Sequence, residues 1–441
     1  MSLRSISLHA PRIAELISTG AELLNGRSVN RHARTLGERL GPLGIRIVRD
    51  TTVPDDLEQL TDALNGALDR VDLVFVTGGL GPTEDDLTRD AVAGVLGRRV
   101  IMSEDALRHV RERYQKYGRA MGPAGERQAQ IVEGAEPLPN RIGAAPGERI
   151  EAGGKTLFLL PGPPAELETL LEDHVLPWLR NTLRGVAEGI PDQTYIVCGL
   201  GESDIVNRFE QDGFPPPGIA VAYCASAGRV EIRLSPGEPR APSASGATAP
   251  SDIRWEAIRA RIRELLGENL VAEERIDMQE VIGRQLQEVG RTLATAESCT
   301  GGMLGERITS VSGSSAWYRG GLIAYADTMK IEWLGVSKKD VEREGAVSET
   351  VAQQMARGVR ERFGADYGIG ITGIAGPAGG TPQKPVGRVY IACADAGRAI
   401  VKSFDFPGNR TLIRERSCAA AMDMLRRFMM KREERTTDGR G

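Results

Sequence analysis

Short apolar runs alternate with amphipathic stretches from the start of the chain. Residues 13–19, Ile-Ala-Glu-Leu-Ile-Ser-Thr, predict a buried strand ending at Gly20. Ala33, Leu36, Leu40 and Leu43 recur at helical spacing and predict a helix over 28–43, stopped by Gly44. Residues 45–48 predict a second strand. Leu57, Leu60, Leu64 and Leu68 predict a helix opened by Asp55 and Asp56, and residues 71–76 predict a third strand. Apolar strands in turn with helices predict a parallel sheet covered on both faces.

The pattern changes after about residue 184. Residues 195–198 predict a strand, and Gly201-Glu202-Ser203-Asp204 opens a helix through Ile205, Val206 and Phe209. Residues 219–223 and 230–234 alternate as strands about a turn at Gly228. Residues 236–251 are rich in Pro, Ala, Ser and Gly and predict a flexible loop, followed by a helix over 253–266 and a linker over 267–277. Met278, Ile282, Leu286 and Val289 then share one helix face and open a last, α/β region. Its predicted strands are 291–296, 321–326, 367–371, 386–392 and 401–406. Helices are expected from about Thr300, around Lys330, over 348–363 and from Arg410. The division expected is into three domains, over 11–185, 190–270 and 277–433.

The composition, 41% hydrophobic and 26% charged over 441 residues, is that of a soluble globular protein of about this domain count. A formal net charge of −4 gives no general basic field, so no nucleic-acid partner is expected. No apolar run approaches the roughly 18 residues that span a bilayer, so no membrane partner is expected either. The five cysteines form no Cys-x-x-Cys pair. Together with the absence of a signal-like start they predict reduced thiols and a cytoplasmic location. The four histidines, His9, His32, His109 and His174, leave the last 267 residues (441 − 174) without one. Chemistry there must proceed without imidazole as base or metal ligand, unless another part of the chain or another subunit lends one.

Two turns carry the candidate chemistry. In the first, the strand at 71–76 runs into Thr77-Gly78-Gly79-Leu80-Gly81-Pro82-Thr83-Glu84-Asp85-Asp86. Ligands of parallel sheets sit beyond the carboxyl ends of the strands. The glycines there allow a close backbone approach, and a helix beginning near Asp85 offers N–H donors. Asp85 and Asp86, with Asp55 at the same sheet edge, suit a divalent cation such as Mg²⁺ carrying a phosphorylated substrate, or else simply cap helices. In the second, the strand at 291–296 runs into Ala296-Glu297-Ser298-Cys299-Thr300-Gly301-Gly302, followed by Gly313-Ser314-Ser315 and Tyr325. This turn reads as an anion site at a helix N-terminus, as a place for an activated hydroxyl, or as a plain Gly-rich turn with a Ser/Thr cap. Cys299 is a second possible nucleophile without a visible activator.

The ordered motifs resemble the CinA (competence/damage-inducible protein A) family over nearly the whole chain. In the N-terminal half these are Gly20-Ala21-Glu22-Leu23-Leu24-x-Gly26, the turn at 77–86, Ala145-Pro146-Gly147 and Leu160-Pro161-Gly162-Pro163-Pro164-x-Glu166. In the C-terminal third they are the turn at 296–302, Gly313-Ser314-Ser315-Ala316-Trp317, Thr372-Gly373-Ile374-Ala375-Gly376-Pro377 and Gly408-Asn409-Arg410. The resemblance implies a molybdopterin-binding-type N-terminal domain, a small α+β KH-like middle domain and an α/β C-terminal domain similar to nicotinamide mononucleotide deamidases. No Gly-x-x-Gly loop with basic flanks supports RNA binding by the middle domain, so a structural or dimer-spacing role is expected there.

The activities implied are amide hydrolysis of nicotinamide mononucleotide and metal-dependent ADP-ribose pyrophosphatase action, in a cytoplasmic homodimer of pyridine-nucleotide salvage. The resemblance puts phosphate and metal handling on Gly79, Gly81, Asp55, Asp85 and Asp86. It puts the nucleophile on Ser315, assisted by Tyr325 and Lys330. Substrate contacts fall on Ser298, Thr300, Gly301, Gly302, Ser314, Thr372, Gly373 and Arg410, with no cofactor in the C-terminal domain. Two departures stand out: Val53-Pro54-Asp55 replaces the family's Val-Gly-Asp, and Asp327 replaces an Asn between the tyrosine and the lysine. An Asp327 carboxylate could pair with Lys330 and hinder a lysine base. The alternatives are a non-catalytic binding or scaffold protein linked to competence or DNA damage, and a pterin-binding protein.

Overall fold

The computed structural model describes residues 12–118, 120–183, 193–236 and 254–437. Most of the loop expected at 236–251, and the expected domain limits at 11, 185 and 190, lie outside these residues. The chain divides into two compact units at Asp192/Gln193, and the middle and C-terminal regions share the second unit.

In the first unit six strands form one sheet. Their order is Ile45–Val53, Arg12–Thr19, Leu73–Thr77, Lys155–Leu160, Gly147–Ala152, Glu136–Leu138. The first four are parallel, as the βα alternation predicts. Each of the last two is antiparallel to the strand before it, which the expected parallel sheet did not include. The cause is local: Gly153 and Gly154, with φ of 57° and 82°, close a two-residue hairpin between Ala152 and Lys155. One apolar cluster, with Leu60, Leu64, Val74, Val76 and Val92, covers one face of the sheet. A second, with Leu36, Leu40, Phe75, Phe158 and Leu171, covers the other.

Several boundaries move. The helix expected over 28–43 is His32–Leu40, continued by a 3₁₀ turn over Gly41–Leu43. The helix expected from Asp55 runs over Leu57–Arg70, and it is Asp56 that caps it by accepting from Gln59 N. The helix expected near Asp85 begins later, at Thr88. Asp85 and Asp86 therefore sit in the turn before the helix, not in its first turn.

The second unit begins with a four-stranded antiparallel sheet in the order Ile219–Ser226, Arg229–Pro236, Gln193–Cys198, Leu270–Ala272. Helices Glu202–Gln211 and Trp255–Leu266 pack Ile205, Phe209, Ile258 and Ile262 against Tyr195, Val197, Val230 and Ile232. The predicted linker at 267–277 is thus partly structural, because it supplies the fourth strand. The same stretch docks on the C-terminal helix, Arg410–Thr437: Arg426 donates to the Glu268 carbonyl at 2.6 Å and Arg427 to Asn269 Oδ1 at 2.9 Å.

The remaining sheet has five strands, ordered Tyr318–Ile323, Leu293–Glu297, Tyr367–Gly373, Arg388–Ala394, Ala399–Asp405. The first three are parallel, and the last two are antiparallel to their neighbours. Leu293–Glu297 is buried along its whole length, as a central strand of a covered sheet must be. Gly368 and Gly370 let the helix Glu349–Arg362 lie directly on the sheet, where a Cβ would meet the Ala356 and Ala352 carbonyls at 2.1 and 2.4 Å. No described helix is long and apolar enough to cross a membrane.

Candidate active site

The carboxyl ends of the three parallel strands of the last sheet converge on one cavity of about 270 Å³. Glu297 pairs with Ile323 on one side and Ile371 on the other, so the residues that follow all three strands stand at one level. Ser298 donates its N–H to the Ile371 carbonyl at 2.9 Å, and Ala324 donates to the Glu297 carbonyl at 2.8 Å. Ser298 therefore stands between Ala324 and Thr372. Ser298, Tyr325 and Thr372 line the cavity with Cys299, Asp327, Lys330, Ala346, Val347, Gly373 and Arg410.

Lys330 is 1% exposed, with its Nζ donating to the Tyr325 carbonyl at 3.0 Å and to Asp327 Oδ1 at 3.2 Å. The pairing with Asp327 that the sequence raised is thus present. Tyr325 is 61% exposed, and its hydroxyl accepts from Arg410 Nη2 at 3.2 Å. Arg410 Nη1 donates to the Gly376 carbonyl at 2.7 Å, so one guanidinium joins the phenol to the Thr-Gly-Ile-Ala-Gly turn. Burial pushes the Cys299 thiol up to about 12, which keeps it protonated and a poor nucleophile.

Ser315 and Ser314 are not part of this cavity. They form a 3₁₀ turn, Ser314–Ala316, that precedes the strand Tyr318–Ile323 and so lies at its amino end. Roughly 16 Å of strand separates that end from Tyr325. Ser315 is exposed there and Ser314 buried. The assignment of the nucleophile to Ser315, and of substrate contact to Ser314, is corrected on this ground: the serine that lines the cavity with Tyr325 and Lys330 is Ser298. The signal was available, since Ser298 follows its strand whereas Ser315 precedes one.

Thr300, Gly301 and Gly302 do not line the cavity either. Glu297, 3% exposed, accepts from the N–H groups of Gly302, Leu304 and Gly305 at 3.0, 3.1 and 2.8 Å. The turn does bind a carboxylate at a helix N-terminus, but it is the protein's own, and the substrate roles expected of these three residues are corrected accordingly. Gly302, with φ of 92°, brings the chain within reach of that carboxylate. Thr372 lines the cavity, but its hydroxyl is committed to the Ala346 carbonyl at 2.8 Å.

The first unit holds a larger cavity, of about 530 Å³, at the carboxyl ends of its parallel strands. Its lining includes Asp55, Gly79, Gly81, Asp85, Asp86, His32 and Glu166. The structure thus brings together every residue expected there. Asp55 is engaged: Oδ1 accepts from Thr19 Oγ1 at 2.9 Å and Oδ2 from the Ala21 N–H at 3.0 Å. Asp86 Oδ2 accepts from the Thr83 N–H and hydroxyl at 2.8 and 2.6 Å. Asp85 is exposed, and a hydrogen bond from Thr83 draws its carboxyl below the usual range. Among the described residues no group of three His, Cys, Asp or Glu side chains could hold a metal ion by itself.

His32 was not foreseen. Its Nε2 faces the Gly162 carbonyl at 2.8 Å and its Nδ1 faces Thr77 Oγ1 at 2.8 Å. A carbonyl only accepts, so Nε2 carries the hydrogen, and the uncharged ring receives the Thr77 hydroxyl on Nδ1. Burial holds this histidine below its ordinary value. Glu166, raised above its ordinary value by burial, accepts from Asn140 Nδ2 at 2.7 Å.

Two family models match the chain. Residues 275–429 match the CinA C-terminal domain, and residues 15–181 match the probable molybdopterin binding domain. The chain is 39% identical over 428 residues to the CinA-like protein of Citrifermentans bemidjiense, covering 97% of this chain and 99% of that one. It is 37% identical over 422 residues to the CinA-like protein of Dictyoglomus thermophilum, covering 94% and 99%. Among solved structures, the protein CinA from Thermoplasma acidophilum is 39% identical, covers 36% of this chain and 94% of its own, and gives a TM-score of 0.35.

Proposed function

We propose, for a chain that belongs to the CinA family, that its C-terminal site hydrolyses the carboxamide of nicotinamide mononucleotide to nicotinate mononucleotide and ammonia. One observation carries this reading. A serine hydroxyl, a buried lysine amine, a phenol and a guanidinium line one cavity in a region that contains no histidine. Amide hydrolysis needs a nucleophile, a proton acceptor and a proton donor, and these groups can fill the three roles.

In this mechanism Ser298 Oγ attacks the carboxamide carbon and its proton passes to the Lys330 amine. The Asp327 contact must loosen for that amine to be free. Ammonia leaves with a proton from Lys330 or from the Tyr325 phenol, giving an ester on Ser298. Water then cleaves the ester, releases the carboxylate and restores the hydroxyl. The Gly373 backbone is the candidate for the oxyanion, and the remaining Arg410 N–H groups suit the substrate phosphate.

For the N-terminal cavity the proposal is metal-dependent cleavage of the diphosphate of ADP-ribose. Mg²⁺-type ions commonly take one or two carboxylates together with substrate phosphates, so Asp85 with Asp55 or Asp86 fits a cation that arrives with its substrate. Such a cation would neutralise diphosphate charge. Gly79 and Gly81 admit the phosphates close to the backbone, and His32 holds the Gly162 turn on the opposite wall. The match to a probable molybdopterin binding domain favours a pterin as the competing occupant. Titration with a pterin and with ADP-ribose plus Mg²⁺ separates the two.

The amidase is tested by ammonia release. Ser298→Ala should lower kcat by at least roughly a thousandfold, while Ser315→Ala stays within about twofold of the wild type. Full activity in Ser298→Ala removes the mechanism. No turnover of either nucleotide by the wild type returns the chain to a binding or scaffold role.

A further inference from the structure

One wall of the C-terminal cavity has no regular structure of its own. Residues 345–348 join the helix Lys338–Glu344 to the helix Glu349–Arg362, and Ala346 and Val347 face the cavity. Four successive carbonyls, of residues 344 to 347, all accept from side chains. Glu344 O and Val347 O accept from Lys384 Nζ at 2.5 and 2.6 Å. Gly345 O accepts from Ser348 Oγ at 3.1 Å, and Ala346 O from Thr372 Oγ1 at 2.8 Å.

Lys384 is itself fixed. Its N–H donates to Thr381 O and Thr381 Oγ1 at 3.1 and 3.0 Å, and its carbonyl accepts from Thr381 N at 2.8 Å. This tight turn belongs to the connection that carries Gly376, Ala378 and Gly379, the facing wall of the same cavity. Gly345, with φ of 77°, turns the backbone beside the ammonium, and a Cβ there would lie 3.5 Å from Nζ. One amine therefore ties the two walls together, and the ties run from a charged donor to carbonyls, which are stronger than neutral ones.

We propose that Lys384 is a positioning residue that sets the width of the substrate cleft. It does so by holding residues 344–347 against the Gly376–Gly379 wall. It touches no reacting atom. The inference deepens the amidase reading and rests on it for the substrate. It also explains why Thr372, expected to contact substrate, points its hydroxyl into the wall. Losing the ammonium frees two carbonyls and lets Ala346 and Val347 move away from the bound nucleotide. Ser298, Tyr325 and Lys330 are left in place. Binding should then suffer while chemistry on bound substrate persists.

The test uses the full chain with Lys384→Met and Lys384→Arg. Lys384→Met should raise KM for nicotinamide mononucleotide about tenfold with kcat within about threefold, and Lys384→Arg should recover most of the loss. Hydrogen exchange over residues 342–350 should quicken in Lys384→Met and return towards wild type in Lys384→Arg. The exchange readout needs no substrate, so it stands even if the wild type neither binds nor cleaves the nucleotide. That outcome would sink the amidase reading alone. Unchanged exchange over 342–350, or a fall in kcat with KM unchanged, overturns the role of Lys384. So does a loss that comes with a lowered melting temperature and no recovery by arginine.

Discussion

At the scale of single residues, the contact between Lys330 and Asp327 decides how readily the proposed base can act. Lys330 is 2% exposed at its side chain while Asp327 is 55% exposed, so the amine is enclosed and its partner is wet. A carboxylate at 3.2 Å stabilises the ammonium form, which cannot take a proton from Ser298. Asp327→Asn keeps an oxygen acceptor in place and removes the charge. The expected result is about threefold to tenfold more turnover. Rates of ammonia release from the two proteins check this. A loss of turnover would mean that Asp327 orients the lysine and does not restrain it.

At the scale of elements, the turn after the strand Leu293–Glu297 depends on one acid. Three backbone N–H groups of Gly302, Leu304 and Gly305 converge on Glu297, and Gly301 N returns to the Ser298 carbonyl at 3.2 Å. The hydrogen bonds that cap the helix Met303–Thr309 therefore also hold the proposed nucleophile. Glu297→Gln replaces one carboxylate oxygen with an N–H₂ group that faces donors. It should cost about 2–3 kcal/mol of stability of the second unit, measured by denaturant unfolding, and lower kcat as Ser298 loses its seat. This element was half legible in the sequence. Strand, glycines and helix were all visible, and so was the chance of an anion at the helix N-terminus. That the anion is Glu297 was not visible, because the direction in which a carboxylate turns depends on the positive φ of Gly301 and Gly302. Ser315 was misplaced for a different reason. A motif gives order along the chain, and the end of the sheet on which it falls must be taken from whether it precedes or follows a strand.

At the scale of the whole molecule, the α/β class and both cavities were legible because βα alternation dictates parallel strands whose carboxyl ends gather ligands. The antiparallel margins of the two large sheets were not, because they follow from short turns at 153–154 and 395–398 and from irregular connections at 139–146 and 374–387, not from long periodic segments. His32 escaped notice because nothing in its helix marks it. Its importance arises from a tertiary contact with Gly162, 130 residues away. Burial of that ring makes the first unit sensitive to acid. The folded His32 titrates below its ordinary value near 6.5, with burial as the main cause and the Gly162 carbonyl and Asp50 opposing it. The unfolded chain therefore takes up this proton first, and stability is full above about pH 6.5 and falls as the pH drops below it. His109, also lowered by burial, adds a loss of the same sign, whereas Asp50, Glu148 and Glu166, raised by burial, act in the opposite sense. Comparison with His32→Gln isolates the one contribution. The variant should be less stable at pH 7.5 by about 1–3 kcal/mol, because it loses at least one buried hydrogen bond. It should also lose less than the wild type between pH 7.5 and 5.5. Parallel unfolding curves for the two proteins across that range would show that His32 carries no acid sensitivity.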